Sequence, residues 1–187
     1  MRKSTRSTAH PEGFRYQADL LPLVEERDLI EQIRELPLKE FEFHGYVGKR
    51  RVVSYGWHYD FSEHKLQKTD EIPTFLHKLR ERAAAFADLR AEDLTHALVT
   101  EYSPGAAIGW HRDKGVFEEV VGVSLLSPCN FRFRRKTEST WERYSLTVEP
   151  RSAYLLRGDA RRDWKHSIPA VDALRYSITF RSLRPSR

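Results

Sequence analysis

His111 and Asp113 stand two residues apart, so an imidazole and a carboxylate point to the same side if the chain is extended there. His166, in the segment 164–169, is the candidate for a third ligand from a distant part of the chain. Two imidazoles and one carboxylate can occupy one face of a non-haem Fe(II) octahedron and leave the other face open for substrate and O₂. Three protein ligands with open positions favour a catalytic metal over the closed four-ligand site of structural zinc.

A second group of polar side chains lies in the segment 174–181. If this segment is a strand, alternation places on one face Arg175, Ser177, Thr179 and Arg181. Inward guanidiniums need anionic partners, because a buried unpaired charge is too costly to persist. A dicarboxylate such as 2-oxoglutarate would satisfy them through charge-assisted hydrogen bonds.

Two ordinary explanations compete with this interpretation. A His-x-Asp sequence occurs by chance in many proteins, and this chain has eight histidines. The two arginines could instead form internal salt bridges to Glu149 or Asp172. Each alternative is the better one for its own feature taken alone. The combination of His111, Asp113 and His166 with the arginine strand favours the metal and dicarboxylate site.

An aromatic segment, 54–61, follows a basic one. On a continuous strand one face would carry Tyr55, Trp57, Tyr59 and Phe61, directly after the cations Lys49, Arg50 and Arg51. Aromatic rings beside cations can stack on bases and hold phosphates. The same rings could equally form part of the hydrophobic core. We therefore give Tyr55 and Trp57 as candidate base-stacking residues, and Arg50 and Arg51 as candidate phosphate contacts.

Composition indicates one globular domain in a reducing compartment. The chain has 187 residues, 40% of them hydrophobic and 32% charged, and its single cysteine, Cys129, excludes an internal disulfide. The net charge of +5 suits a polyanionic partner, although clusters of basic residues are usually only a solvated surface. No signal peptide or long apolar run is visible. We expect a monomer without membrane contact, in the cytoplasm, or in the nucleus if the host has one.

The periodicity predicts two helices followed by a series of short strands. Helical spacing of apolar residues spans 24–36 and about 73–89, and strand patterns occupy about 95–102, 119–126, 130–136, 142–148, 152–157 and 174–182. This order predicts an α+β fold, a double-stranded β-helix (jelly roll) with the N-terminal helices packed on one sheet. Residues 1–16 are expected to be an N-terminal arm, and residues 17–187 a single domain.

Two blocks of the chain resemble the AlkB family of iron- and 2-oxoglutarate-dependent dioxygenases, which remove alkyl groups from nucleic-acid bases. The first block runs from the Tyr-x-Pro-Gly sequence at 102–105 to the His-x-Asp sequence at 111–113. The second runs from His166 to the segment 175–181. The resemblance extends over residues 38–183 and implies that His111, Asp113 and His166 bind Fe(II).

The resemblance also implies a co-substrate site and a lid. It assigns the distal carboxylate of 2-oxoglutarate to Tyr102 and Arg175, and the carboxylate near the metal to Arg181. Thr100 and Ser177 occupy positions where many members have asparagine, and their hydroxyls can still form hydrogen bonds. Residues 44–64 fall where the family carries a nucleotide-recognition lid. Gly115 replaces an acidic residue that reads the base in some members.

The expected function is oxidative dealkylation of N-alkylated bases in DNA, coupled to decarboxylation of 2-oxoglutarate to succinate, with O₂ as the second co-substrate. A base inside a duplex cannot reach the metal, so the partner is expected to be single-stranded or flipped-base nucleic acid. Trp57, Tyr55 and the imidazole of His111 are the candidates for stacking against it. The alternatives are the same chemistry on RNA, tRNA, a protein or a small molecule. A non-enzymatic nucleic-acid-binding module is disfavoured, because the metal and carboxylate positions are intact.

Overall fold

Thirteen strands and three α-helices make up the fold in the computed structural model, which describes residues 10–43, 46–60 and 65–185. In chain order they are β1 (Phe14–Gln17), α1 (Leu23–Arg34), β2 (Lys39–Phe43), β3 (Tyr46–Tyr55), β4 (Trp57–Asp60), β5 (Lys65–Lys68), α2 (His77–Phe86), β6 (Leu94–Tyr102), β7 (Ile108–His111), β8 (Phe117–Leu125), β9 (Cys129–Lys136), β10 (Trp141–Val148), β11 (Ala153–Leu156), α3 (Gly158–Arg162), β12 (Lys165–Ile168) and β13 (Arg175–Leu183). Short 3-10 turns precede α2 and β6.

The strands form two facing sheets and a separate hairpin. The large sheet has seven strands in the order β1-β11-β8-β13-β6-β3-β2, and the small sheet has four in the order β10-β9-β12-β7. One buried cluster joins α1 and α2 to the outer face of the large sheet. A second cluster fills the space between the two sheets. This arrangement confirms the predicted α+β jelly roll with the helices packed on one sheet.

The two N-terminal helices form where the periodicity places them. In α1 the apolar residues Leu29, Ile30 and Ile33 are buried against the large sheet, and the chain leaves the helix before Pro37. Buried Glu26 fixes this helix to the sheet, because its Oε1 accepts a hydrogen bond of 2.8 Å from the backbone N–H of Leu126. The helices therefore close the outer face of the large sheet and leave its inner face to the site.

Strand β13 is buried on both faces, and its two faces differ in kind. Tyr176, Ile178 and Phe180 belong to the cluster beneath the helices. The alternate residues, beginning with Arg175 and Ser177, face the small sheet. The predicted separation of polar and apolar faces on this strand is confirmed.

The aromatic segment is not the continuous strand that the sequence suggested. Gly56 has a φ of +75°, and a Cβ there would overlap the carbonyl of Thr95. The chain therefore turns at Gly56, and β4 leaves the large sheet and pairs with β5 in a two-stranded sheet. Tyr55 and Trp57 consequently belong to different sheets. Of the predicted lid at 44–64, residues 44–45 and 61–64 lie outside the described residues.

The predicted boundary of the N-terminal arm also needs correction. Residues 14–16 belong to β1, which pairs with β11 at the edge of the large sheet. Phe14 is buried between the sheets and packs edge-on against Phe133, with the ring centroids 5.0 Å apart. Residues 1–9 lie outside the described part of the chain. No helix among the described residues is both long and apolar enough to cross a membrane.

Gly122 and Tyr154 form a close cross-strand pair on β8 and β11, so Gly122→Ala is expected to destabilise the fold. An added Cβ would overlap the Tyr154 ring, which is itself buried between the sheets. Overpacking of this kind costs about 1–3 kcal/mol. The matched control is Gly115→Ala, where no atom lies within 4 Å of the added Cβ. Thermal unfolding should show a clear drop in Tm for Gly122→Ala alone; equal Tm values for the two variants would contradict this packing.

Candidate metal centre and co-substrate pocket

The three predicted metal ligands converge on the inner face of the small sheet. His111 ends β7, and His166 lies directly opposite it on β12 as its cross-strand partner. Asp113 follows two residues after His111. One potential ligand atom from each residue lies within 4.8 Å of the other two, and His166 Nε2 is 3.5 Å from Asp113 Oδ2. These distances fit two imidazoles and a carboxylate around a single ion.

The protonation of the two imidazoles suits metal binding. His111 Nδ1 lies 2.9 Å from the carbonyl oxygen of Gly109, which can only accept, so this nitrogen carries the hydrogen and Nε2 is free for a metal. Burial, together with the repulsion that a second proton would meet when His111 is also protonated, lowers the pKa of His166 to about 3. His166 is therefore neutral at neutral pH, and its contact with Asp113 is not an ion pair. The neutral imidazole is the form that binds a metal.

Asp113 is held as a carboxylate by Arg181. Burial acts to raise the pKa of Asp113, but the permanent charge of Arg181, joined at low pH by the protonated imidazoles of His166 and His111, lowers it well below its usual range. Arg181 Nε donates a hydrogen bond of 2.8 Å to Oδ1 of Asp113, and Nη2 lies 2.7 Å from the same oxygen in an ion pair. Oδ2 is the oxygen that faces His166. The two oxygens are thus divided between the guanidinium and the candidate metal position.

A second buried guanidinium lies at the far end of the same strand. Arg175 is fully buried, and its Nε donates a hydrogen bond of 3.1 Å to the Ser124 hydroxyl. Its Nη1 is buried and has no hydrogen-bond partner among the described residues. No ion pair joins it to Glu149 or Asp172 in the described part of the chain. A buried, incompletely bonded cation fits the anionic end of a co-substrate.

Tyr102 lies between Arg175 and Arg50 in one row across three strands. Tyr102 pairs with Arg175 on β13 and with Arg50 on β3, so all three side chains share the inner face. The Arg175 guanidinium carbon is 4.7 Å from the centroid of the Tyr102 ring. That of Arg50 is 4.5 Å from the Phe41 ring centroid. The structure thus brings the predicted Tyr102 and Arg175 together and adds Arg50 beside them.

A row of hydroxyl groups lies between Arg175 at one end of the pocket and Arg181 at the other. The next row toward the metal ligands contains Thr100, Ser177 and Ser124, which are cross-strand partners on β6, β13 and β8. All three are buried. The predicted Thr100 and Ser177 therefore line the inner face between Arg175 and Arg181. The arrangement is a polar strip that begins at a cation and ends at the metal ligands.

Four residues of the site were not found by the sequence argument. Ser124 binds Arg175, and His96 lies 3.3 Å from Arg181 Nη1. Tyr154 is buried between the sheets, and burial together with the nearby Tyr102 raises the pKa of its phenol. Arg161 donates from Nη2 to the carbonyl oxygens of Lys114 at 2.5 Å and Phe117 at 2.9 Å, and so holds the loop after Asp113. Alternation along β6 could have identified His96, which shares a face with Tyr102. No comparable signal marks the other three.

The predicted substrate residues separate into two pairs. Tyr55 is buried in the cluster beneath the helices, which favours the core alternative for this ring. Arg51 points to the same outer side and donates to both carboxylate oxygens of Glu101 at 2.8 Å, so its guanidinium is already neutralised. These two residues do not fit the proposed contacts with nucleic acid. Trp57 is half-buried on β4, and Arg50 lies at the rim of the inner face; both remain candidates.

Comparison with known proteins gives a family and a fold. Residues 15–181 match the sequence profile of the 2OG-Fe(II) oxygenase superfamily. The chain is 30% identical over 167 residues to the alkylated DNA repair protein ALKBH8 homolog of Arabidopsis thaliana, covering 74% of this chain and 47% of the relative. It is 37% identical over 91 residues to the mitochondrial alpha-ketoglutarate-dependent dioxygenase alkB homolog 7 of Bos taurus, covering 48% of this chain and 40% of the relative. The chain thus spans about half the length of these curated relatives.

Among solved structures, the fold is similar to that of OsALKBH1. The TM-score is 0.71 at 16% identity, and the match covers 94% of this chain and 99% of the other. At this identity the likeness concerns the fold. Together with the curated relatives, these matches support the resemblance to the AlkB family that the two sequence blocks suggested.

Replacing Asp113 by alanine is expected to abolish iron binding and turnover and also to lower stability. Two imidazoles alone hold Fe(II) poorly, so the metal is lost. The guanidinium of Arg181 also loses its counter-charge, and the side chains of Arg181 and Asp113 are each 12% exposed or less. Removing one partner of such a pair costs about 3–5 kcal/mol. Metal titration and thermal unfolding of the same sample measure both effects.

Asp159→Ala is the matched control. Its carboxylate is 43% exposed and lies 3.7 Å from Arg135, so its loss should cost no more than about 1 kcal/mol. An Asp113→Ala protein with unchanged Tm and full metal occupancy would contradict the geometry described above.

Proposed function

The chain belongs to the 2OG-Fe(II) oxygenase superfamily, and from that premise we propose that it removes alkyl groups oxidatively from N-alkylated bases of single-stranded or flipped-base nucleic acid. DNA is the proposed substrate. The reaction consumes O₂ and converts 2-oxoglutarate to succinate and CO₂. The observation that carries the proposal is the polar strip between the sheets, which joins the His111, Asp113 and His166 cluster to the buried Arg175.

The residues of the strip have separate tasks in this proposal. His111, Asp113 and His166 would hold Fe(II) from one side, because their ligand atoms converge from the small sheet and the loop after it. When bound, Fe(II) would allow O₂ to oxidise 2-oxoglutarate to succinate and CO₂ and, with its second oxygen atom, to hydroxylate the carbon attached to the base nitrogen. Arg181 keeps the Asp113 carboxylate ionised and oriented. The metal position is thereby set before any substrate arrives.

The co-substrate's distal carboxylate is assigned to Arg175 and Tyr102. Arg175 has an unpartnered Nη1, and burial excludes the water that would otherwise solvate it and screen its charge. Its contact with Ser124 fixes the guanidinium plane, so the remaining donors face a defined direction. Thr100 and Ser177 contribute hydroxyls along the way to the metal ligands. A short dicarboxylate matches this sequence of groups better than a monocarboxylate does.

Nucleic acid is favoured as the substrate by the chain's charge and by the AlkB resemblance. The net charge is +5, and Arg50 lies at the rim of the inner face beside Tyr102. Trp57, on the neighbouring hairpin, offers a ring against which an extruded base can stack.

After hydroxylation of the alkyl carbon, that carbon leaves as an aldehyde, and the repaired base remains.

The decisive experiment measures succinate and formaldehyde with N-methylated oligonucleotides. The protein, Fe(II) and 2-oxoglutarate are incubated with single-stranded DNA carrying N-methylated bases, with RNA of the same sequence, and with the unmethylated strands. Methyl-dependent formaldehyde in amounts equal to the additional succinate supports the proposal, and the ratio of DNA to RNA turnover assigns the nucleic acid. Succinate production that no methylated strand stimulates would overturn it in favour of another substrate class.

Arg175→Ala is expected to raise the 2-oxoglutarate requirement sharply. Truncating one partner of a desolvated charge pair costs about 2–5 kcal/mol, which corresponds to a KM higher by about one and a half to three and a half orders of magnitude. Oligonucleotide affinity should stay the same, because Arg175 is fully buried. Steady-state kinetics in 2-oxoglutarate and fluorescence anisotropy with an oligonucleotide give the two values.

Arg82→Ala serves as the control, since its guanidinium pairs with Glu25 on the helical side of the large sheet. It should leave both values unchanged. A fall in oligonucleotide affinity for Arg175→Ala, with an unchanged KM for 2-oxoglutarate, would assign Arg175 to phosphate binding instead.

Trp57→Ala is expected to weaken binding of single-stranded substrate by one to two orders of magnitude. Stacking of a base on an aromatic ring is worth about 1–3 kcal/mol. Turnover of 2-oxoglutarate without substrate should persist, because the metal ligands lie on β7, on β12 and in the loop after β7, away from the hairpin of β4 and β5. Trp164→Ala provides the comparison for a core tryptophan, since Trp164 is buried between the sheets and should cost about 3–5 kcal/mol of stability. If Trp57→Ala lowers Tm as much as Trp164→Ala, the ring belongs to the core.

A further inference from the structure

The outer face of the small sheet, turned away from the metal ligands, carries a row of cations. Arg134 on β9 is the direct cross-strand partner of Arg143 on β10 and of Lys165 on β12. Residues in register share a face, so these three side chains project together from three neighbouring strands. Phe133, the residue before Arg134, is buried on the opposite face, which identifies the row as the outer one.

This row is unfavourable for the isolated protein. Like charges directly opposite each other destabilise a sheet. None of the three cations forms an ion pair with a carboxylate within the described part of the chain, although other surface arginines do, such as Arg151 with Asp19. The arrangement therefore lacks its counter-charge, and a polyanion lying along the row would supply it.

Two tryptophans lie among these cations. The guanidinium carbon of Arg134 is 4.3 Å from the Trp110 ring centroid and 4.9 Å from that of Trp141. Arg132, the next outward residue on β9, is 5.1 Å from the Trp110 ring. Trp141 keeps 36% of its surface exposed. Cations that track a phosphate backbone, with aromatic rings between them for bases, are typical of single-strand binding surfaces.

We propose that this outer face, defined by Trp110, Arg132, Arg134, Trp141, Arg143 and Lys165, binds the phosphodiester backbone of single-stranded nucleic acid outside the catalytic pocket. A single strand fits better than a duplex, because its bases are free to stack on the exposed tryptophan. The inference rests on the proposed function, since it assumes that the substrate is a nucleic acid.

The position of the face links it to the pocket. Trp110 immediately precedes His111, and Lys165 immediately precedes His166, so these two side chains lie on the outer face one residue from candidate metal ligands on the inner face. β7 is the edge of the small sheet. A strand bound across the outer face can therefore pass over this edge, with one nucleotide turned inward to the metal and its neighbours held outside.

The test compares two variants with the same change in charge. The test variant combines Arg134→Gln, Arg143→Gln and Lys165→Gln. The control combines Arg27→Gln, Lys78→Gln and Arg90→Gln, all on the helical side of the large sheet. Binding of a fluorescein-labelled 15-nucleotide oligothymidine is measured by anisotropy over a range of salt concentrations.

The test variant should bind at least about tenfold more weakly at low salt than the wild type. Its plot of log affinity against log salt should be shallower by about 2, because each lost phosphate contact on a single strand removes about 0.7 from the slope. The control should keep the wild-type slope. The Tm of the test variant should equal or exceed that of the wild type, since the mutual repulsion is removed. If the triple change impairs folding, Arg143→Gln alone, at an exposed position, should still reduce the slope by about 0.7.

Several results would overturn the inference. Equal losses in the two triple variants would mean that net charge alone, and not this face, attracts the oligonucleotide. Loss of binding to phosphatidylserine vesicles with unchanged oligothymidine affinity would assign the face to a membrane. If the wild-type protein dealkylates methylated strands but the two triple variants bind oligothymidine equally well, the outer face is not the binding surface and the proposed function stands. If the salt dependence of binding changes in the test variant alone but no strand is dealkylated, the proposed function is wrong and the outer face remains a binding surface for nucleic acid.

Discussion

Strand β13 carries two guanidiniums into the space between the sheets, and each of them must find an anion there. The desolvation free energy of a buried charge without a partner is comparable to the whole free energy of unfolding of a typical domain. Arg181 meets the requirement within the chain, through a hydrogen bond and a close ion pair with one oxygen of Asp113. Arg175 meets it only in part, through the neutral hydroxyl of Ser124. One end of the strand therefore positions a metal ligand, and the other end selects an anionic co-substrate.

The spacing of the two imidazoles depends on sheet pairing and not on a metal. His111 and His166 are cross-strand partners, and their ring centroids are 4.3 Å apart. Ladder hydrogen bonds hold β7 and β12 together whether or not an ion is present. Asp113 lies beyond the end of β7 and lacks that support. Its position depends on Arg181 at the carboxylate and on Arg161, which binds the backbone of the following loop.

Local periodicity predicted the parts of this structure that are long and regular. The alternation of β13, the helix around Leu29 and the paired position of His111 and Asp113 could all be derived from spacing. β7 and β12 are four residues each, too short to show a period, although they carry the imidazoles. The turn at Gly56 was missed because alternation continues on both sides of it, and only the carbonyl of Thr95, distant in sequence, excludes a Cβ there. Arg51 appeared to be available for phosphate because its partner Glu101 is fifty residues away.

The contact between Arg181 and Asp113 also changes the interpretation of Arg181. The sequence resemblance gave this arginine to the carboxylate of the co-substrate near the metal. In the structure, Nε and Nη2 are both directed at Asp113 Oδ1, and Nη1 lies beside His96. A guanidinium engaged in this way orients the metal ligand first, since withdrawing it would leave a buried carboxylate without its main counter-charge. The lowered pKa of Asp113 follows from the same contact. Arg181 can bind the co-substrate only through the N–H groups that do not contact Asp113. Arg175, in contrast, has a buried Nη1 without a hydrogen-bond partner among the described residues.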